Sequence, residues 1–146
     1  MIEIRRATLD DVDAIVALGQ FAHYLSANAQ YPYASGRARI LVASCICRGN
    51  MVALVAVRDG EIVGFLLGHR DSHTYMDMDY ATDLAFVSQS PGAGRKLLKV
   101  FEDWAFSQNV DQIVLGVVNG GKDLKPLYER MGFQHVGGMF TKNRRG

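Results

Sequence analysis

Apolar residues recur along this chain with two periods, and the changes from one to the other divide it into elements. Ile2 and Ile4 alternate with Glu3 and Arg5, which predicts a short strand. Thr8-Leu9-Asp10-Asp11 then offers Thr8 as an N-cap with acidic residues in the first turn, so a helix is expected from there. Val12, Ile15, Val16 and Gly19 form its inner face, and apolar and aromatic residues continue through Phe21, Tyr24 and Leu25. Residues 28–33 break the pattern and read as a loop. A second helix is predicted from about Ser35 to Arg48, with Ile40, Leu41, Ser44 and Cys45 facing inward and Gly49-Asn50 as its stop.

At Met51 the period shortens. Met51 to Val57 and Ile62 to Gly68 are continuous apolar runs joined by Asp59-Gly60, the pattern of an antiparallel hairpin. Asp71 to Asp79 is polar and aromatic without a period and is expected to be a long loop, after which Tyr80 to Val87 reads as a third long strand. Leu97, Leu98, Phe101, Trp104 and Ala105 lie on one face of a helix. Gln112 to Val118 is a β-branched strand ended by Asn119-Gly120-Gly121. Leu124, Leu127, Tyr128 and Met131 repeat with helical spacing, and Gly132 is placed for a left-handed stop. Phe133 to Lys142 reads as one or two short strands broken at Gly137-Gly138. The order β-α-α-β-β-β-α-β-α-β is that of a mixed sheet, α/β (α+β) in class.

Composition narrows the function. With 146 residues, 49% hydrophobic and 21% charged, the chain suits one soluble domain, residues 1–146. A net charge of +1 gives no general attraction to nucleic acid or anionic membrane, so neither is an expected partner, and the basic Lys142, Arg144 and Arg145 read as a solvated tail. No apolar run reaches the ~20 residues of a membrane span, and the first residues lack a signal peptide's order, which leads to the expectation of a cytoplasmic protein. Cys45 and Cys47 stand two apart in a predicted helix, where they would not face each other. His23, His69, His73 and His135 lack ligand spacing, so no metal is expected.

Chemistry concentrates in Gln89-Ser90-Pro91-Gly92-Ala93-Gly94 and the Arg95, Lys96 and Lys99 that follow. A strand, a glycine turn and a helix start make an anion site, because the first N–H groups of a helix have no partner within it. The missing Lys-Ser/Thr ending disfavours a P-loop and its nucleotide triphosphate.

Gln-x-x-Gly-x-Gly in this setting resembles the acyl-CoA pyrophosphate loop of the GCN5-related N-acetyltransferases. Ile4-Arg5-Arg6-Ala7-Thr8-Leu9-Asp10-Asp11, Ile62-Val63-Gly64-Phe65 and Tyr128-Glu129-Arg130-Met131-Gly132-Phe133 are similar to segments common in that family, and they occur in the same order. The resemblance implies a mostly antiparallel central sheet flanked by about four helices, and acetyl transfer from acetyl-CoA directly to a primary amine of a small molecule or protein. It assigns cofactor contacts to Gln89, Gly92, Ala93, Gly94 and Arg95, to the strand backbone around Phe86 and Val87, and to Asn119. Tyr128 would assist the departing thiolate. Asp83 would be the base, with Asp79, Asp77 and His69 as rivals, and Tyr24, Tyr31 and Tyr33 would wall the acceptor site. A base is needed because holding a lysine-like amine neutral at pH 7 costs about 4–5 kcal/mol. The alternative is a non-catalytic acyl-CoA-binding module or protein-interaction domain on the same fold. An edge strand near the C-terminus suits pairing into a homodimer.

Overall fold

The computed structural model describes residues 1–116, 118–119 and 122–144. Its elements are β1 (Glu3–Arg6), a single 3-10 turn (Leu9–Asp11), α1 (Val12–His23), α2 (Ser35–Cys47), β2 (Met51–Arg58), β3 (Glu61–Ser72), β4 (Asp79–Ser88), α3 (Ala93–Ser107), β5 (Gln112–Val114), the short hairpin of β6 (Val118–Asn119) and β7 (Lys122–Asp123), and α4 (Lys125–Arg130). Strands β1 to β4 pair antiparallel in chain order, and β5 adds to β4 in parallel.

The sheet is buried on both faces, which is why β2 and the middle of β3 are continuous apolar runs. Val52, Leu54, Ala56 and Leu66 meet Leu97, Leu98, Phe101 and Trp104 of α3 on one face. Ala53, Val55, Phe65 and Leu67 meet Ile15 and Val16 of α1 and Val42 and Cys45 of α2 on the other. Successive residues of a strand point to opposite faces, so one run supplies both cores. Burial pushes the Cys45 thiol up to about 11.

The first helix opens through a carboxylate. Asp11 accepts the Thr8 N–H at 2.7 Å and binds the Arg5 guanidinium through both oxygens, at 2.7 and 3.0 Å. The Arg5 hydrogen bonds hold the Asp11 carboxyl below the usual carboxylate range despite its burial. At the other end of the chain Gly132 (φ +89°) stops α4, and the Phe133 N–H reaches back to the Tyr128 carbonyl at 3.0 Å.

Four expectations are corrected. The loop predicted from Asp71 to Asp79 is shorter than expected: β3 continues to Ser72, which pairs with Asp79, and the loop is residues 73–78. Ile40 is 71% exposed, and Val42 takes the inward position in α2 beside Cys45. The strand expected over Gln112–Val118 stops at Val114, and Val118-Asn119 belongs instead to the small hairpin. Residues 133–144 form no strand, so the final β of the expected order is absent; Val136, Met139 and Phe140 are 86%, 92% and 102% exposed. Val117, the Gly120-Gly121 break and Arg145 lie outside the described residues.

Candidate active site

The site forms where β4 parts from its neighbours. Along one edge β4 follows β3 through nine partners, but the register shifts at Leu67/Gly68, where Leu67 pairs with Ala85 and Gly68 with Asp83. Leu84 is therefore an extra residue, a bulge. It reverses the alternation: Ala81 and Phe86 both lie in the α3 core, while Ala85 and Val87 lie against α1 and α2. Along the other edge β5 pairs only with Tyr80, Ala81 and Thr82. From Leu84 to Val87 no strand among the described residues pairs with that edge, although β6 comes near β4. Asp83 sits at the point of divergence, and its carboxylate accepts the Gly116 N–H at 3.2 Å from the chain just past β5.

Gly68 makes the bend possible. A Cβ there would lie 2.4 Å from Phe101 Cε1 and 3.0 Å from the Thr82 carbonyl oxygen, so only a bare backbone lets α3 settle against the bulged strand.

Past the bulge, β4 runs into the glycine turn. The Gln89 N–H still donates to the Val63 carbonyl at 2.9 Å, and Gly92 (φ +84°) is the N-cap of α3. A left-handed residue is strained for any side chain, which explains glycine at 92. Ala93 N–H donates to Ser90 O and Lys96 N–H to Gly92 O, so the Gly94 and Arg95 N–H groups are the ones directed out of the helix end. Gly94 is buried, and a Cβ there would touch Ser88 Oγ at 3.4 Å and Leu127 Cδ2 at 3.6 Å. Leu127 of α4 therefore lies beside the turn. Of the nearby cations, Lys96 Nζ donates to Ile2 O at 3.1 Å and Lys99 pairs with Asp103, whereas Arg95 is exposed with no ion pair among the described residues.

On the α1/α2 side of the same stretch of β4 is a cavity of about 380 Å³. Leu84, Ala85, Phe86 and Val87 line it together with Ile15, Val42 and Phe65, and its polar end carries His23, Ser26, Asn28 and Tyr33. Of the predicted aromatic wall, only Tyr33 is among the residues that line it, and Tyr24 and Tyr31 are exposed. Tyr33 Oη donates to Val16 O at 3.2 Å, Tyr24 Oη accepts the Tyr33 N–H at 3.1 Å, and burial raises the Tyr33 phenol. Tyr31 contributes its carbonyl, which takes the His23 Nε2 proton at 2.6 Å.

The structure thus brings Phe86, Val87, Gln89, Gly92, Ala93, Gly94 and Arg95 into one continuous stretch. Tyr128 stands on α4, 5% exposed, its ring 5.9 Å from that of Phe133, within the α3 core and close to the glycine turn through its neighbour Leu127. Asn119 belongs to β6 opposite Lys122. Asp79 is held at the far end of β4 by Arg70 and by the Ser72 hydroxyl at 2.8 Å; Asp77 lies in the hairpin tip, and His69 pairs with Thr82. Sequence reasoning passed over His23, which it weighed only for metal spacing. Its signal was position: it ends a helix and precedes a loop rich in tyrosine. Among the described residues no His/Cys/Asp/Glu group has the grouping of a metal centre, and no helix is long and apolar enough to cross a membrane.

This arrangement, a bulged strand splayed from its parallel neighbour and running into a left-handed glycine at a helix start, agrees with what known proteins show. The model of the acetyltransferase (GNAT) family matches residues 19–133, and the chain belongs to that family. Among solved structures, a transcriptional regulator from Bacillus halodurans C-125 is 21% identical with a TM-score of 0.78, the match covering 98% of this chain and 99% of that one. A ribosomal-protein-alanine N-acetyltransferase from Brucella melitensis biovar Abortus 2308 is 18% identical with a TM-score of 0.70, again over 98% and 99%. An aminoglycoside acetyltransferase from an uncultured soil metagenomic sample is 14% identical with a TM-score of 0.71, over 98% of both chains. At these identities the likeness is one of fold. No curated protein sequence matches the chain.

Proposed function

We propose that the protein is an N-acetyltransferase that moves an acetyl group from acetyl-CoA directly to a primary amine. The observation that carries this reading is the opened edge of β4. The stretch Leu84–Val87 has no ladder partner on its β5 side among the described residues, lines the α1/α2 cavity on one face, and leads within five residues to the Gly92 cap.

The residues present fit the co-substrate on two counts. The Gly94 and Arg95 N–H groups and the exposed Arg95 guanidinium suit a pyrophosphate, and nothing lies within 4 Å of where a Gly92 Cβ would stand. Ser90 Oγ is buried at the head of α3 with no hydrogen-bond partner among the described residues, a donor suited to a phosphate oxygen. When bound, acetyl-CoA supplies the activated acyl group. The chain's own part is positional. Gln89 to Arg95 would hold the pyrophosphate end, and Asn119 is the residue that the family resemblance assigns to the arm. A backbone N–H in the Phe86–Val87 stretch receives the charge that develops on the carbonyl oxygen. Asp83, bonded to Gly116, ties β4 to the chain after β5 at the point where the two strands part. Tyr128 supports the leaving sulfur, since a phenol near pKa ~10 hydrogen-bonds well to a thiolate near ~8.5.

The test is thiol release from acetyl-CoA across a panel of amines, run beside Tyr128→Phe. Turnover with at least one amine is expected, with kcat reduced about tenfold in the variant and acetyl-CoA affinity unchanged. Affinity without turnover on any amine would support the non-catalytic binding module instead.

A further inference from the structure

The cavity against α1 and α2 has a chemistry of its own. Its body is hydrocarbon from Ile15, Ala22, Leu41, Val42, Phe65 and Leu67, and no carboxylate is among the described residues that line it. An ammonium-rich acceptor would find no countercharge there, and the cost of stripping several charges of water would be uncompensated. A molecule with an apolar body and one amine suits it. About 380 Å³ is the size of a small-molecule site.

The polar end is equally restrictive, because its groups largely satisfy one another. Tyr33 Oη is used by Val16 O, Tyr24 Oη by the Tyr33 N–H, and Ser26 Oγ both donates to His23 O at 2.6 Å and accepts the Asn28 N–H at 3.2 Å. His23 Nε2 lies 2.6 Å from the Tyr31 carbonyl, which can only accept, so Nε2 carries the hydrogen. In the neutral ring the lone pair is then on Nδ1, for which the described residues offer no donor. The ring is held in place by edge contact with Tyr24 at 4.9 Å and tilted contact with Tyr33 at 5.5 Å. The titratable groups facing it are the phenols of Tyr24 and Tyr33, with no carboxylate and no second cation among the described lining residues.

We propose that His23 is the base for this cavity and that the acceptor is a small, predominantly apolar primary amine; this rests on the acyltransferase reading above and names its acceptor class. The acceptor's ammonium gives a proton to His23 Nδ1. The freed nitrogen lone pair forms the bond to the acyl carbon as the carbon–sulfur bond breaks, the electron pair leaves on sulfur, and the second nitrogen proton is lost to water. The Tyr31 carbonyl fixes the tautomer that makes Nδ1 the acceptor.

The experiment uses phenethylamine and spermidine as probes of opposite character, titrated into 15N-labelled protein with and without CoA while the imidazole nitrogens are followed by NMR. Nε2 is expected to carry the proton. Phenethylamine is expected to move the His23 ring signals saturably, and spermidine to leave them in place. His23→Gln keeps a donor for the Tyr31 carbonyl but has no basic nitrogen. It is expected to lower kcat/KM for phenethylamine about 100-fold or more and to leave acetyl-CoA affinity within about twofold. A protonated Nδ1 with bare Nε2, spermidine occupying the cavity in preference to phenethylamine, or wild-type kcat/KM in His23→Gln would each overturn the proposal. Failure of the acyltransferase reading registers separately, as loss of acetyl-CoA binding, because phenethylamine binding to the free protein reads the cavity alone.

Discussion

The two edges of β4 are made from the same ten residues and behave oppositely. Toward β3 the strand finds nine partners and absorbs one irregularity; toward β5 it finds three and then stands open. The closed edge ties β4 into the core, where Phe86 is 1% exposed and Phe101 is fully buried. The open edge leaves backbone groups directed at whatever enters between the strands. A strand paired on both sides has no polar backbone group to offer a ligand, and one paired on neither has no fixed position to offer it from. The proposed function depends on rigidity along one edge and on backbone left out of the ladder along the other.

This difference can be broken from the closed side first. Gly68→Ala places a methyl group into the Phe101 ring and against the Thr82 carbonyl, and should cost about 1–3 kcal/mol of stability, read as a lower urea midpoint with unchanged slope. An unchanged midpoint would mean that β3 and α3 adjust freely and that the bulge is not locked.

Asp11→Asn provides a control remote from both edges. It weakens the bidentate Arg5 contact and should cost about 1–2 kcal/mol near neutral pH without altering activity. Because the folded state depresses the Asp11 carboxyl, this stabilisation is complete well above the ordinary carboxylate value of about 3.9 and fades as pH falls through the lower folded value. The difference between wild type and variant should therefore shrink on acidification; a difference independent of pH would remove the ion pair from the explanation.

The open side should respond least in stability. Asp83→Ala removes the bond to Gly116 and is expected to cost about 1 kcal/mol, while thiol release falls further than that loss of stability explains. Equal and small effects on both would reduce Asp83 to a surface contact.

Much of the frame was legible in the sequence. The α3 face, the β2–β3 hairpin, the Gly92 turn and the Gly132 stop follow from period and from residues with special backbone freedom. The parts that were not legible share one cause, the need for a partner that period does not specify. Leu84 opens the apolar run Leu84 to Val87, in which no break in alternation marks it as the bulge. Ile40, Leu41 and Val42 are three consecutive apolar residues, and only the position of the sheet selects Val42 for burial over Ile40. Residues 112–118 look like one strand, yet pairing lasts only while β4 stays alongside. Val136, Met139 and Phe140 suggest strand by type but acquire no neighbour to pair with. The glycine turn of the site was visible because it is local. The role proposed for His23 was not, because it depends on a carbonyl eight residues away.

The most direct test of the proposed site is calorimetric titration of the protein with acetyl-CoA, repeated on Arg95→Glu, an exposed substitution that reverses the charge at the first turn of α3 without entering the core. Micromolar binding by the wild type, weakened about tenfold or more in the variant, is the expected result. Absence of binding to the wild type, or equal affinity in the variant, would contradict a pyrophosphate held between Gln89 and Arg95.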